Sequence, residues 1–125
     1  MVTCSSESGF AETLSNLLRA ISDHGLLVFA QIDHAAAAKE VGLEMAPEVV
    51  VVFGNARAGT PLMQSDPQVG IELPLKLLLW ETDGVAKVAY HDPRDLARTY
   101  SLGDQIATLE AMAQLLATLT REATR

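Results

Sequence analysis

The sequence predicts an α+β fold: a small, mainly antiparallel sheet with helices packed on it. Three observations predict it. Residues 73–90 carry a hairpin signal, in which apolar runs flank Asp83-Gly84, a two-residue turn that wants positive φ. Two segments, one opening at Phe10 and one following Leu102, repeat apolar residues at helical spacing. Two short runs, Leu26 to Ile32 and Val49 to Phe53, are apolar and partly β-branched, as strands are. A hairpin is antiparallel by construction, and helices must cover the sheet to bury its apolar face. A flavodoxin-like arrangement is the alternative, but its Gly-rich phosphate turn is absent.

Residues 2–6 form a short edge strand. Phe10, Leu14, Leu17, Leu18 and Ile21 make a helical stripe behind Ser8 as N-cap, and His24-Gly25 ends that helix. The strand at 26–32 leads to Asp33, the N-cap of a short helix through 35–41 that Gly42 closes. Pro47 opens the strand 49–53, whose unbroken apolar run predicts cover on both faces. Within 57–70, Thr60-Pro61 reads as a cap followed by proline at the first helical position, and Asp66-Pro67 as the helix end. After the hairpin, Asp92-Pro93 starts a turn of helix through Ala97. A C-terminal amphipathic helix then carries Leu102, Ile106, Leu109, Ala113, Leu116 and Leu119 on one stripe, with Ser101 and Asp104 as capping candidates.

Composition narrows the function classes. A chain of 125 residues is expected to be one domain, 1–125, large enough to hold itself together without a disulfide or metal. Sixteen acidic against nine basic residues give a net charge of −7, and the basic ones are scattered, so nucleic acid is not an expected partner. The longest apolar runs fall far short of the ~20 residues a membrane span needs, and no signal peptide is visible, so a cytoplasmic protein without a membrane partner is expected. Cys4 is a lone thiol with no metal-ligand spacing around it. No cofactor is expected, and no Gly-x-Ser-x-Gly elbow, P-loop or His-Glu-x-x-His occurs.

Several short motifs, in this order and spacing, resemble a bacterial family called domain of unknown function 302. They are Phe10-Ala11-Glu12-Thr13, Gly25 before a strand ending in Ile32-Asp33-His34, and Phe53-Gly54-Asn55. Pro61-Leu62-Met63, Asp66-Pro67, Gly70, Leu73-Pro74-Leu75-Lys76 and Tyr90-His91-Asp92-Pro93 follow. The resemblance runs from about Phe10 to Leu96 and leaves the last helix, about 102–123, as an addition. It implies a compact α+β domain and a homodimer, and implies no activity. Some members carry a Cys just before the equivalent of Asn55; Gly54 stands there in this chain, so thiol chemistry is not available at that point.

The candidate site comes from expected topology. If strands 26–32 and 49–54 run the same way, both end at one edge, with Asp33, His34 and Asn55. An antiparallel strand 73–82 brings Lys76 there, the hairpin returns His91, and the Thr60 helix start lies nearby. Convergent polar groups at strand ends are where small molecules bind. Each residue also has an ordinary reading. Asp33 and Thr60 are explained as caps, Asn55 as a turn residue, and His34 and His91 as solvated or structural groups. Lys76 is the only charge in an apolar run, so its stem either snorkels to the surface or presents an amine to an anion. The set is too sparse for a metal site. The leading expectation is a dimeric small-molecule-binding or regulatory module holding an anion near Lys76, Asn55 and the 33–34 turn. Its rivals are a small enzyme with His34 or His91 as general acid/base and Lys76 as electrostatic stabiliser, and a purely structural or protein-interaction domain.

Overall fold

The computed structural model describes all residues, Met1–Arg125. Five strands form one sheet: β1 (Val2–Ser5), β2 (Leu27–Asp33), β3 (Glu48–Gly54), β4 (Leu75–Thr82) and β5 (Val85–Tyr90). Its spatial order is β1-β5-β4-β3-β2, and every neighbouring pair is antiparallel. Four α-helices accompany it: α1 (Phe10–Asp23), α2 (His34–Glu40), α3 (Ala56–Ser65) and α4 (Ile106–Ala123). Single 3-10 segments occupy Pro67–Glu72 and Pro93–Arg98. The α+β class and the antiparallel sheet are as the sequence predicts.

The sheet has one covered face. Val49, Val51 and Phe53 alternate along β3 with Val50 and Val52, and only the odd-numbered set is buried. Leu77 and Leu79 of β4 and Val88 of β5 continue that buried face, against Leu17 and Ile21 of α1 and Leu116 and Leu119 of α4. A second cluster joins Leu62 and Val69 to Leu102, Leu109 and Met112, and so fastens α3 and the following 3-10 segment to α4. Val50, Val52, Leu78 and Trp80 lie on the opposite face and are only half-buried. The expectation of cover on both faces of 49–53 is therefore corrected. An unbroken apolar run normally marks a doubly covered strand, but here all the packed helices share one side.

The hairpin turns as its sequence demands, with positive φ at Asp83 (52°) and Gly84 (76°). Three helix starts differ from expectation. At α1 the N-cap is Gly9 rather than Ser8, and the position is tied down by Thr13 Oγ1 donating to the Gly9 carbonyl at 2.8 Å. At α3 the helix begins four residues before Thr60, with Asn55 as N-cap: the Ala58 N–H donates to Asn55 Oδ1 at 2.9 Å. Pro61 thus sits inside α3, where one N–H is lost, rather than at its first turn. At α4 neither Ser101 nor Asp104 caps; both instead accept from Ser65 Oγ, at 2.7 and 2.8 Å, which pins the approach to α4 against α3. The buried stripe of α4 is Leu109, Met112, Ala113, Leu116, Leu119, Thr120 and Ala123, while Ile106 is exposed and Leu102 lies buried ahead of the helix.

Candidate functional site

Strand direction decides which polar groups can meet. Because β2 is antiparallel to β3, Leu27 pairs with Gly54 and Asp33 with Val49. The end of β2 therefore lies at the far end of β3 from Gly54. Five residues of β3 separate the two positions, roughly 17 Å at ~3.4 Å per residue. Asp33 and His34 are consequently apart from Asn55, and the expected parallel run of these two strands is corrected. The physical reason is that the short α2 and its following loop return the chain as an antiparallel connection rather than crossing over the sheet.

The remaining strand ends do converge. Phe53 pairs with Leu75 and Val52 with Lys76, so the start of β4 adjoins Gly54-Asn55. Leu78 pairs with Ala89, which carries the end of β5, and His91 beyond it, to the same end of the sheet. Lys76 nonetheless occupies the open face, alternating with the half-buried Leu75 and the buried Leu77 and Leu79. Its ammonium is exposed and donates to the carbonyl oxygens of Glu72 (3.2 Å) and Pro74 (3.3 Å). Snorkelling describes it well. His91 is exposed. Beside it, Arg94 Nη2 donates to Asp92 Oδ2 at 2.6 Å, and that bond holds the Asp92 carboxyl below its usual range. Asp33 acts as the expected N-cap, accepting from the Ala36 N–H at 2.8 Å.

A cavity lies at the Asn55 end, on the helix-covered face. It measures about 640 Å³ and is bounded by the start of β2, the end of β3, the start of β4, the first turns of α3, and α4. Of its 19 lining residues 12 are hydrophobic, which sets it within the ~300–1,000 Å³ size range and the composition typical of small-molecule sites. Phe29, Phe53, Met63, Leu73, Met112 and Leu115 supply its apolar wall. Asn55, Arg57, Thr60 and Thr108 supply its polar groups. Gly54 turns the chain from β3 into α3 at φ 150°, and a Cβ there would stand 3.9 Å from the Phe29 ring and 4.0 Å from Pro74.

Two of the six sequence-derived candidates, Asn55 and Thr60, line this cavity; Lys76, His34, Asp33 and His91 do not. Asp33 instead edges a second hollow of about 530 Å³ beside α2, together with Lys39, Glu44 and Glu48. Arg57 is the functional candidate that sequence reasoning passed over. The signal was present in Gly54-Asn55-Ala56-Arg57, a cap followed by a helix start, but Thr60-Pro61 offered a competing start. No group of three His, Cys, Asp or Glu side chains is arranged to hold a metal ion. No helix is long and apolar enough to cross a membrane.

The model of a family described as "Domain of unknown function DUF302" matches residues 2–119, taking in β1 and most of α4 as well as the span 10–96 in which the motifs lie. A crystal structure of a DUF302 protein from Bacillus stearothermophilus has the same fold, with a TM-score of 0.88 over 99% of this chain and 97% of that one, at 22% identity. A fluoride-specific ion channel, FluC 1 of Brucella suis biovar 1, is 38% identical over 98% of this chain and 49% of its own length. The Brucella abortus biovar 1 protein of the same name matches at 38%, over 46% of its length. The chain therefore spans about half the length of the curated relatives it matches.

Proposed function

The chain belongs to the DUF302 family, and from that premise we propose that it is a small-molecule-binding or regulatory module, cytoplasmic and homodimeric, whose ligand sits in the cavity at the Asn55 end. The cavity carries the proposal: a mainly apolar hollow of about 640 Å³ with a few polar side chains, between the sheet, α3 and α4. Asn55 and Thr60 remain ligand candidates on this reading. Lys76, with its exposed ammonium on the other face of the sheet, is a candidate only for a different and more superficial contact.

Ala111 is exposed on α4 and lines the cavity, so Ala111→Trp fills the hollow without disturbing the core. A small-molecule library screened by melting temperature should yield compounds that stabilise the native protein and leave Ala111→Trp unmoved. Compounds that stabilise both proteins equally would place binding elsewhere and remove the cavity from consideration.

The homodimer has its own support. All seven residues of β2 are exposed, including Leu27, Val28, Phe29 and Ile32, and this edge strand contains neither lysine, arginine nor proline. Edge strands that stay unpaired are normally guarded by such residues. A second copy of β2 would cover this edge.

A second reading concerns where the module works. In the two Brucella relatives the similarity spans about half of a protein named as a fluoride channel. The half resembling this chain corresponds to a fold with no membrane-crossing helix, which leaves conduction to the other half. On this reading the chain modulates a fluoride channel. Fluoride accumulation in cells carrying such a channel, with and without this chain, tests it; identical accumulation would count against it.

A further inference from the structure

Resting on the cavity as the binding site, we infer that its ligand is a monocarboxylate with an apolar body, anchored by Arg57. The cavity wall contains one ionisable residue, and it is this arginine; no aspartate or glutamate lines it. Arg57 has no carboxylate within ion-pair distance. The ion pairs of the chain engage His24, Arg94 and Arg98 instead. A protein with a net charge of −7 repels anions in general, so an unpaired cation in the wall of an apolar cavity gives that location the opposite preference.

The neighbouring polar groups point the same way. Asn55 Oδ1 already accepts from the Ala58 N–H, whereas both N–H donors of the Asn55 side-chain amide are unused. Thr108 spends its proton on Gln105 Oε1 at 3.0 Å and lies across the cavity on α4. Near Arg57 three donors are unused: the guanidinium fork, the Asn55 amide and the Thr60 hydroxyl. A planar carboxylate matches an arginine fork with two parallel hydrogen bonds. A doubly charged phosphate would call for a second cation, which the wall does not offer.

The rest of the ligand must be apolar, because the remaining wall is Phe29, Phe53, Met63, Leu73, Met112 and Leu115. Two methionines on opposite sides, on α3 and α4, make that wall adaptable, since an unbranched thioether side chain repacks readily around different shapes. Aliphatic and aromatic bodies of moderate size both fit this description. A strongly polar body such as a sugar does not, because its hydroxyls would be left without partners.

Octanoate and octanamide share an apolar tail and differ in charge, and calorimetric titration of each into the native protein tests the inference. Octanoate should bind about two- to fivefold more tightly, the gain expected for an exposed arginine–carboxylate contact. In Arg57→Gln that advantage should vanish while octanamide binding is kept; Arg57 is exposed and unpaired, so the variant folds. Equal affinities in the native protein would overturn the carboxylate assignment and leave the cavity as a site for neutral ligands. An octanoate preference that survives Arg57→Gln would overturn the anchoring role. Binding of neither compound would overturn both this assignment and the cavity reading on which it rests.

Discussion

β2 and β3 are neighbours of equal length and similar apolar content, yet they end in opposite environments. β3, Glu48–Gly54, lies second from the edge, with Val49, Val51 and Phe53 buried against the helices. β2, Leu27–Asp33, forms the edge and exposes every residue, Leu27 at 64% and Phe29 at 53%. The register of β2 against β3 shifts between Val28 and Ala30. Apolar sequence thus marks both as strands, but position in the sheet decides whether the apolar groups find cover. Phe29 of β2 lines the cavity, and the outer edge of the strand is unpaired.

The largest effect that sharpens this contrast comes from truncation. Phe53→Ala in β3 should cost about 3–5 kcal/mol of stability, the range for deleting a fully buried aromatic side chain. Ile32→Ala in β2, where the side chain is 46% exposed, should cost less than about 0.5 kcal/mol in dilute solution. Denaturant unfolding measures both. Comparable costs would mean that β2 is covered in solution after all, and would make the contrast a property of the isolated chain only.

A smaller effect is expected from charging the exposed edge. Val28→Lys places a guarding cation on an edge strand that has none, and should shift the protein from dimer to monomer by sedimentation with little change in fold. A native protein already monomeric at high concentration would break the proposal that a second β2 covers this edge.

The smallest effect extends the comparison from apolar to ionisable groups. Tyr90 ends β5 in a buried position, and burial raises its phenol above the usual value of 10.0, with the Asp92 carboxylate adding to the shift. A raised folded-state value means that the stabilising contribution is present below pH 10 and is lost as pH rises through the folded value. Asp92 has the opposite sign. Its bond from Arg94 lowers its carboxyl below 3.8, so its contribution is present above that pH and lost as pH falls through the folded value. Tyr90→Phe should flatten the alkaline limb of a stability–pH profile, and Asp92→Asn the acid limb. An unchanged alkaline limb in Tyr90→Phe would show that Tyr90 is not sheltered as its neighbours in the sheet are.

The site was legible in part because its polar members follow local rules. Asn55 stood out as a polar residue at a strand end, and Asp33 as a cap, because capping is decided by the residue and its next three neighbours. Arg57 was missed because Thr60-Pro61 carries an equally good local helix-start signal, and only packing against α4 chooses between two such starts. Lys76 was singled out as the lone charge in an apolar run, a correct reading of its setting. Alternation along β4 then sent it to the face away from the cavity, which no feature of its own segment announces.

By itself the sequence determined the α+β class, the hairpin with its Asp83-Gly84 turn, the positions of all five strands, and the amphipathic first and last helices. These depend on interactions among residues close in the chain: turn φ values, caps and the period of apolar side chains. Tertiary structure alone decided that β2 and β3 run antiparallel, that the helices share one face, and that α3 and α4 leave a cavity between them. Those outcomes depend on which distant surfaces are left to pack together, and apolar burial has no direction of its own to record that choice in a local motif.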